Sequence, residues 1–309
     1  MLERKSLLIF VLFISVVSAP LVLDSFYLTL LTQIFIFSTL ALSVDLLIGY
    51  IGLVPLGHAG IFGTSAYVLA YCLVRLEWST LPAVLLALVA GVVASALFGS
   101  LAVRTRGIYF IMLTLAEGMI VWGVIQRWTS VTGGANGIRN IPRTGFLGSD
   151  LTYYYVVLLV FVIGFWILSK IVTSPFGLSC QGIQQLEERM PFLGYNTFLF
   201  KFIGFLISGT YASVAGILYT LHNEFISPSS VDLMTSAEAV LMVIVGGAGT
   251  LWGGIIGSGL ILSIENIVSI FTDRWTLIMG GLYIVTMLFA RRGILGLVHR
   301  LFGSSEMQS

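Results

Sequence analysis

The sequence predicts an all-α integral membrane protein of about ten transmembrane helices, some of them interrupted by glycine. Three observations carry that expectation. Of the 309 residues 58% are hydrophobic and only 9% are charged, with a mean hydropathy of +1.03, whereas a soluble domain carries about 25% charged residues. Apolar runs recur at close to the ~20 residues that a helix needs to cross a hydrocarbon core. The basic residues then divide unevenly between the two sides that those runs define.

The runs are 6–23, 26–49, 59–76, 81–103, 107–125, 151–172, 199–221, 236–249, 251–272 and 276–290, the eighth and tenth being short. Polar stretches at 126–150, 173–198 and 222–235 separate them, and the chain reads as a single polytopic domain, 1–309. With Arg4 and Lys5 inside, the cytoplasmic side also collects Arg104, Arg106, Lys170, Arg189, Lys201, Arg291, Arg292 and Arg300. The outer side collects only Arg75, Arg127, Arg139, Arg143 and Arg274. Basic residues favour cytoplasmic loops, so both termini are expected in the cytoplasm. The opening "MLERKSLLIFVLFISVVSAPLVL" has the layout of a signal peptide as well; the expectation is that it is retained as the first span.

The remaining composition excludes several function classes. A net charge of +1 gives nucleic acid no electrostatic support. Cys72 and Cys180 show no metal-ligand spacing and read as space-filling thiols rather than a disulfide. There is no G-x-x-x-x-G-K-[ST] phosphate loop, no G-x-S-x-G elbow and no H-E-x-x-H helix. Neither ATP hydrolysis nor an enzyme reading has a site: no catalytic residue, cofactor or metal is expected.

Two clusters break the apolar runs. The first is Gly49, Gly52, Pro55, Gly57, Gly60 and Gly63; the second is Gly246, Gly247, Gly249, Gly253, Gly254, Gly257 and Gly259. At membrane depth a broken backbone is tolerated where it is buried in protein or lines a wet cavity, and interrupted helices recur at transporter substrate sites. Small residues also permit close helix packing, which is the expected role of much of "GGIIGSG". Both clusters lie on hairpins of the same orientation, so no inverted repeat is inferred.

Ionisable residues within spans are costly and each is a candidate site: Asp45, Glu117, Glu238 and Glu265. Asp45 and His58 flank the first break, where either orients a polar ligand or bonds a loose backbone amide; for His58 the backbone bond is expected. Glu117 and Glu238 lie at outer or middle depth, where snorkelling and capping also account for them. Glu238, three residues after Thr235 in "TSAE", fits a capping box at a helix start.

The 173–198 loop, "TSPFGLSCQGIQQLEERMPFLGYN", is long enough for a folded element. Ser174-Pro175 and Gly177 mark a turn, an amphipathic helix of about three turns is expected to follow, and Pro191 ends it.

Five segments together resemble one family: "LALSVDLLIGYIGLVPLGHAGIFGTSAY", "RTRGIYFIMLTLA", "TGGANGI", "LGYNTFLFKFIGFLISGTYASVAGILY" and "SAEAVLMVIVGGAGTLWGGIIGSGL". They look like successive signatures of the membrane permease of branched-chain amino acid ABC importers. The resemblance implies half of a heterodimeric pore in the inner membrane, surrounded by lipid. Its implied partners are a homologous second permease, two cytoplasmic ATP-binding subunits and an extracytoplasmic substrate-binding protein. It makes 173–198 the coupling segment, with Gly177, Leu186, Glu187, Glu188, Gly194 and Asn196 at the ATPase contact. The breaks and acids then give a translocation path of Asp45, Gly49, Gly52, Pro55, Gly57, His58, Glu117, Gly246, Gly247 and Gly249. The chain departs from the family at Gly182-Ile183-Gln184, where "AIR" is common, at Pro191, and at Pro55, where a small polar residue is usual.

A different class, a proton-coupled secondary carrier relaying through Asp45, Glu117 or Glu265, predicts uptake abolished by an uncoupler with ATP intact. A membrane enzyme or scaffold predicts turnover dependent on His58.

Overall fold

Once a chain is in lipid, each backbone polar group must be satisfied within the protein, which leaves the helix as the spanning element for runs of this length. The computed structural model describes residues 24–271 apart from Thr144, and a few single positions beyond them. The second to ninth expected spans fall there, the ninth up to residue 271, and each contains a helix, while 6–23 and 276–290 lie outside the described residues. The helices longer than one turn are α1 (Ser25–Asp45), continued by a π-helical turn (Leu46–Ile51), α2 (His58–Val74), α3 (Thr80–Ala102), α4 (Ile108–Arg127), α5 (Asp150–Thr173), α6 (Pro175–Leu186), α7 (Thr197–Asn223), α8 (Leu233–Gly246) and α9 (Trp252–Phe271).

Among the described residues six helical stretches are long and apolar enough to cross a membrane: α1 with its π turn, α3, α4, α5, α7 and α9. The helices next to the breaks are shorter, α2 with 17 residues and α8 with 14. Capping side chains fix several starts by accepting orphan backbone N–H groups. Ser149 opens α5, Ser174 followed by Pro175 opens α6, Asn196 opens α7 and Asp232 opens α8.

Helix α7 is the hub, packed against α1, α2 and α3. Small residues make the approach possible, because contact rather than water exclusion drives association in lipid. Ser65 Oγ donates to the Ser213 carbonyl at 3.0 Å, and Ser95 Oγ to the Phe205 carbonyl at 3.2 Å. A Cβ on Gly209 would collide with Ser95, and one on Gly216 with the Phe62 carbonyl. Helices α8 and α9 close on Gly246, Gly253 and Gly257 in the same way. The outward face of α3 carries Leu81, Leu85, Val89, Val93 and Leu97, an apolar surface suited to lipid.

The two ends of the bundle differ. At one end lies α6. The far end is tied by a short antiparallel pairing of Ile138–Arg139 with Phe225–Ile226. Arg143 reinforces it, reaching Glu224 at 2.7 Å and Asp150 at 2.9 Å while its guanidinium lies over the Tyr153 ring.

Candidate translocation path and coupling segment

Helix α1 runs regularly to Asp45, widens into its π turn and stops at Gly52, whose φ of +80° is a left-handed conformation that suits glycine. Residues 53–57 are irregular, and α2 begins at His58. The loose backbone there is bonded from neighbouring helices. Leu56 N donates to Thr114 Oγ1 at 3.2 Å, and Ala59 N to Ser236 Oγ at 2.9 Å.

The second break follows Gly246, where Gly247 and Gly249 take φ values of +117° and +83°. Thr250 restarts the chain: its hydroxyl donates to the Gly247 carbonyl and accepts from Gly253 N, both at 2.9 Å.

The two breaks meet. Fully buried Asp45 accepts the Gly249 amide on Oδ1 at 2.7 Å and the Leu251 amide on Oδ2 at 3.0 Å. A Cβ on Gly49 would collide with the backbone of Gly249. Of the two roles open to Asp45, the structure therefore shows the bond to loose amides.

The expectation for His58 is corrected. Its Nε2 lies 2.7 Å from Ser208 Oγ, not on a backbone amide. Ser208 gives its proton to the Ser43 carbonyl at 2.5 Å, so Nε2–H is the donor and Nδ1, buried and unpartnered, carries the lone pair. Sequence could not find Ser208, 150 residues away.

Glu117 is 5% exposed, and its Oε1 has no partner. It sits on α4 between Thr114 and Gly118, which press on Gly57; a Cβ on Gly57 would meet the Thr114 carbonyl. Gly57 is thus packed shut, whereas Gly52 is exposed.

A second correction concerns Glu238. Helix α8 starts at Leu233 and is capped by Asp232, which accepts the Leu233 amide at 2.6 Å. Glu238 therefore lies more than a turn inside the helix, and no capping box forms at Thr235.

The expected amphipathic helix in the 173–198 loop is α6. It turns Gly177, Cys180 and Ile183 inward. Burial pushes the Cys180 thiol up to about 12. Gln184 Nε2 donates to the Ile48 carbonyl at 3.2 Å, inside the π turn of the first break, and its side chain lies over Gly52. Glu187, just past the helix, accepts Lys201 Nζ at 2.8 Å and Arg106 Nε at 3.1 Å. Glu188 and Leu186 face outward. A short 3-10 turn, Pro191–Leu193, then leads to Gly194 (φ +86°) and the Asn196 cap. That turn leaves Phe192 and Leu193 91% and 70% exposed. Sequence reading missed both, although an apolar pair after a proline in a polar loop was the available signal.

The architecture fits the comparison with known proteins. Residues 26–289 match the family model described as branched-chain amino acid transport system / permease component. The chain belongs to this permease family. Its relatives include the high-affinity branched-chain amino acid transport system permease protein LivM of Escherichia coli, 26% identical over 94% of this chain and 75% of the relative. The autoinducer 2 import system permease protein LsrC of Salmonella choleraesuis is 25% identical over 87% of this chain and 80% of the relative. The corresponding BraD permease of Pseudomonas aeruginosa is 22% identical over 84% of this chain and 91% of the relative. No solved structure matches the chain.

Membership makes the protein a multi-pass inner-membrane permease subunit of an ABC importer, a transport component rather than an enzyme. Such permeases work with ATP-binding and substrate-binding partners. The proton-coupled carrier gives way to that assignment. Among the described residues no three His, Cys, Asp or Glu converge as a metal site.

Proposed function

We propose that this permease forms half of the translocation path for branched-chain or other small amino acids, paired with a homologous second permease. In this reading two cytoplasmic ATP-binding subunits drive it and an extracytoplasmic binding protein delivers the solute. The family description and the LivM and BraD names support the substrate class. The chain is a single polytopic domain, 1–309, of ten spans with both termini in the cytoplasm, an orientation supported by its basic-residue bias. Loop 173–198 is the coupling segment.

The path is gated at the paired breaks by Asp45, Gly49, Gly52, Pro55, Gly57, His58, Glu117, Gly246, Gly247 and Gly249. The ATPase contact is built by Gly177, Leu186, Glu187, Glu188, Gly194 and Asn196, with two of them acting from within: Gly177 lets α6 close on the Val172 backbone and Glu187 holds the segment to Lys201. The observation that carries this reading is the bond from Gln184 to the Ile48 carbonyl. It joins a surface helix to the first break, which Asp45 joins to the second. Closure of an ATP sandwich against α6, the helix-in-groove mode, reaches both breaks through two adjoining contacts.

Purification from native membranes in mild detergent tests the assembly, followed by reconstitution with labelled leucine. Co-purification of a second permease and two ATPases, with uptake that stops when the ATPases are catalytically dead, is expected. Uptake that persists without ATP hydrolysis overturns the proposal.

A further inference from the structure

A cleft of about 370 Å³ opens at the end of the bundle opposite α6, between α1, α2, α7, α8, α9 and the Pro228–Val231 turn. Its wall is of two kinds. Glu238 of α8 and Glu265 of α9 line it together, within electrostatic reach of each other and of Tyr219. Among the described residues neither carboxylate has an ion pair. Tyr219 stands between them and an apolar side. Its hydroxyl lies 3.3 Å from Ser230 Oγ, and its ring packs on Phe37 and Phe62 at 5.9 and 5.3 Å. Leu262 and Met234 complete the apolar side.

Two carboxylates brought into a partly desolvated cleft repel each other, and the arrangement is relieved by a cation between them. A bare metal ion would find oxygen ligands here but would make no use of the aromatic and aliphatic wall. An organic ammonium uses both, since its charge meets the carboxylates and π faces while its carbon skeleton covers apolar surface. We propose that this cleft is a binding site for the ammonium end of a small aliphatic amine-bearing solute, met on the far side of the membrane from α6. For the transport reaction this deepens the amino-acid reading above and rests on it: Glu238 and Glu265 hold the ammonium before the solute reaches the breaks.

The test uses the assembled importer in proteoliposomes with Thr235, at the cleft wall, replaced as Thr235→Cys. Both native cysteines are buried and give little background. With each rate normalised to that reagent's rate with a free small thiol, a trimethylammonium-bearing methanethiosulfonate is expected to label this cysteine about tenfold faster than a sulfonate-bearing one. The preference is expected to vanish when Glu238→Gln and Glu265→Gln are added. Isopentylamine is expected to slow labelling, while 4-methylpentanoate and sodium at equal concentration do not. Equal normalised rates for the two reagents, or protection by sodium or 4-methylpentanoate as strong as by the amine, overturn the site. The amine arm needs only Thr235→Cys, so it decides the matter even if the double variant fails to assemble. ATP-driven leucine uptake is read on the same vesicles. Its absence alongside charge preference and amine protection sinks the amino-acid importer reading and leaves the cleft an amine site.

Discussion

Asp45 reaches across 204 residues of sequence to hold the Gly249 amide at 2.7 Å, and its second oxygen holds Leu251. One carboxylate thus satisfies donors that the second break sets free, from a position at the mouth of the first. The Leu251 amide is buried and the Gly249 amide half-buried, so the carboxylate ties the two breaks together structurally.

Replacing Asp45 is therefore expected to be severe in a diagnostic way. Asp45→Ala leaves the buried Leu251 N–H unpaired, at about 1–3 kcal/mol, and the half-buried Gly249 N–H at less. Asp45→Asn does little better, because a carboxamide offers one acceptor and turns its NH2 against the other backbone donor. Both variants are expected to lose most uptake and to lower the thermal midpoint of the purified complex. Wild-type stability in Asp45→Asn would show that the tie is dispensable.

Contact between the π turn and α6 makes a second expectation. Gln184→Leu keeps the side-chain bulk over Gly52 but removes the donor to Ile48. A partly exposed neutral hydrogen bond contributes about 1 kcal/mol, so the thermal midpoint should barely change. Uptake per ATP hydrolysed is expected to fall severalfold while basal ATPase activity is kept. An unchanged ratio of uptake to hydrolysis would move the transmission away from this contact.

Much of this arrangement was legible from residue types alone. Glycine and proline in apolar runs announced both breaks, and Ser174-Pro175 announced the start of α6. What sequence could not supply was pairing over long separations: Asp45 with Gly249, His58 with Ser208, Gln184 with Ile48. Locally ambiguous caps misled as well. In "DLMTSAE" both Asp232 and Thr235 are capping residues, and the choice of Asp232 places Glu238 inside α8. Residue type likewise says nothing about which glycine is open: Gly52 is exposed, while Gly57 presses on the Thr114 carbonyl.

The adjacent acids Glu187 and Glu188 should separate cleanly. Lys201 is 3% exposed, and Glu187 is its ion-pair partner. Glu187→Lys leaves a buried ammonium facing a like charge, and breaking such a pair costs about 3–5 kcal/mol. That variant is expected to destabilise the coupling segment and reduce recovery of the folded permease. Glu188→Lys, on an exposed side chain, should leave folding intact and weaken only the ATPase contact, read as loss of the ATPase on co-purification. Equal behaviour of the two variants would contradict the division of roles.

Cys180 offers a probe of how α6 moves. Its thiol faces the protein and burial raises it to about 12 from an ordinary 9.0, because the charged thiolate is disfavoured there. The folded state thus keeps its proton where the unfolded chain loses it, so this group's stabilisation is present below pH 9 and declines as pH rises towards 12. At pH 8 maleimide labelling of the native complex at Cys180 is expected to be negligible, and complete after denaturation in detergent. If α6 transmits ATP closure while docked on the π turn, ATP turnover will leave Cys180 protected. If labelling rises during turnover, α6 peels away in each cycle, and the Gln184 bond is then a latch that opens rather than a rod that pushes.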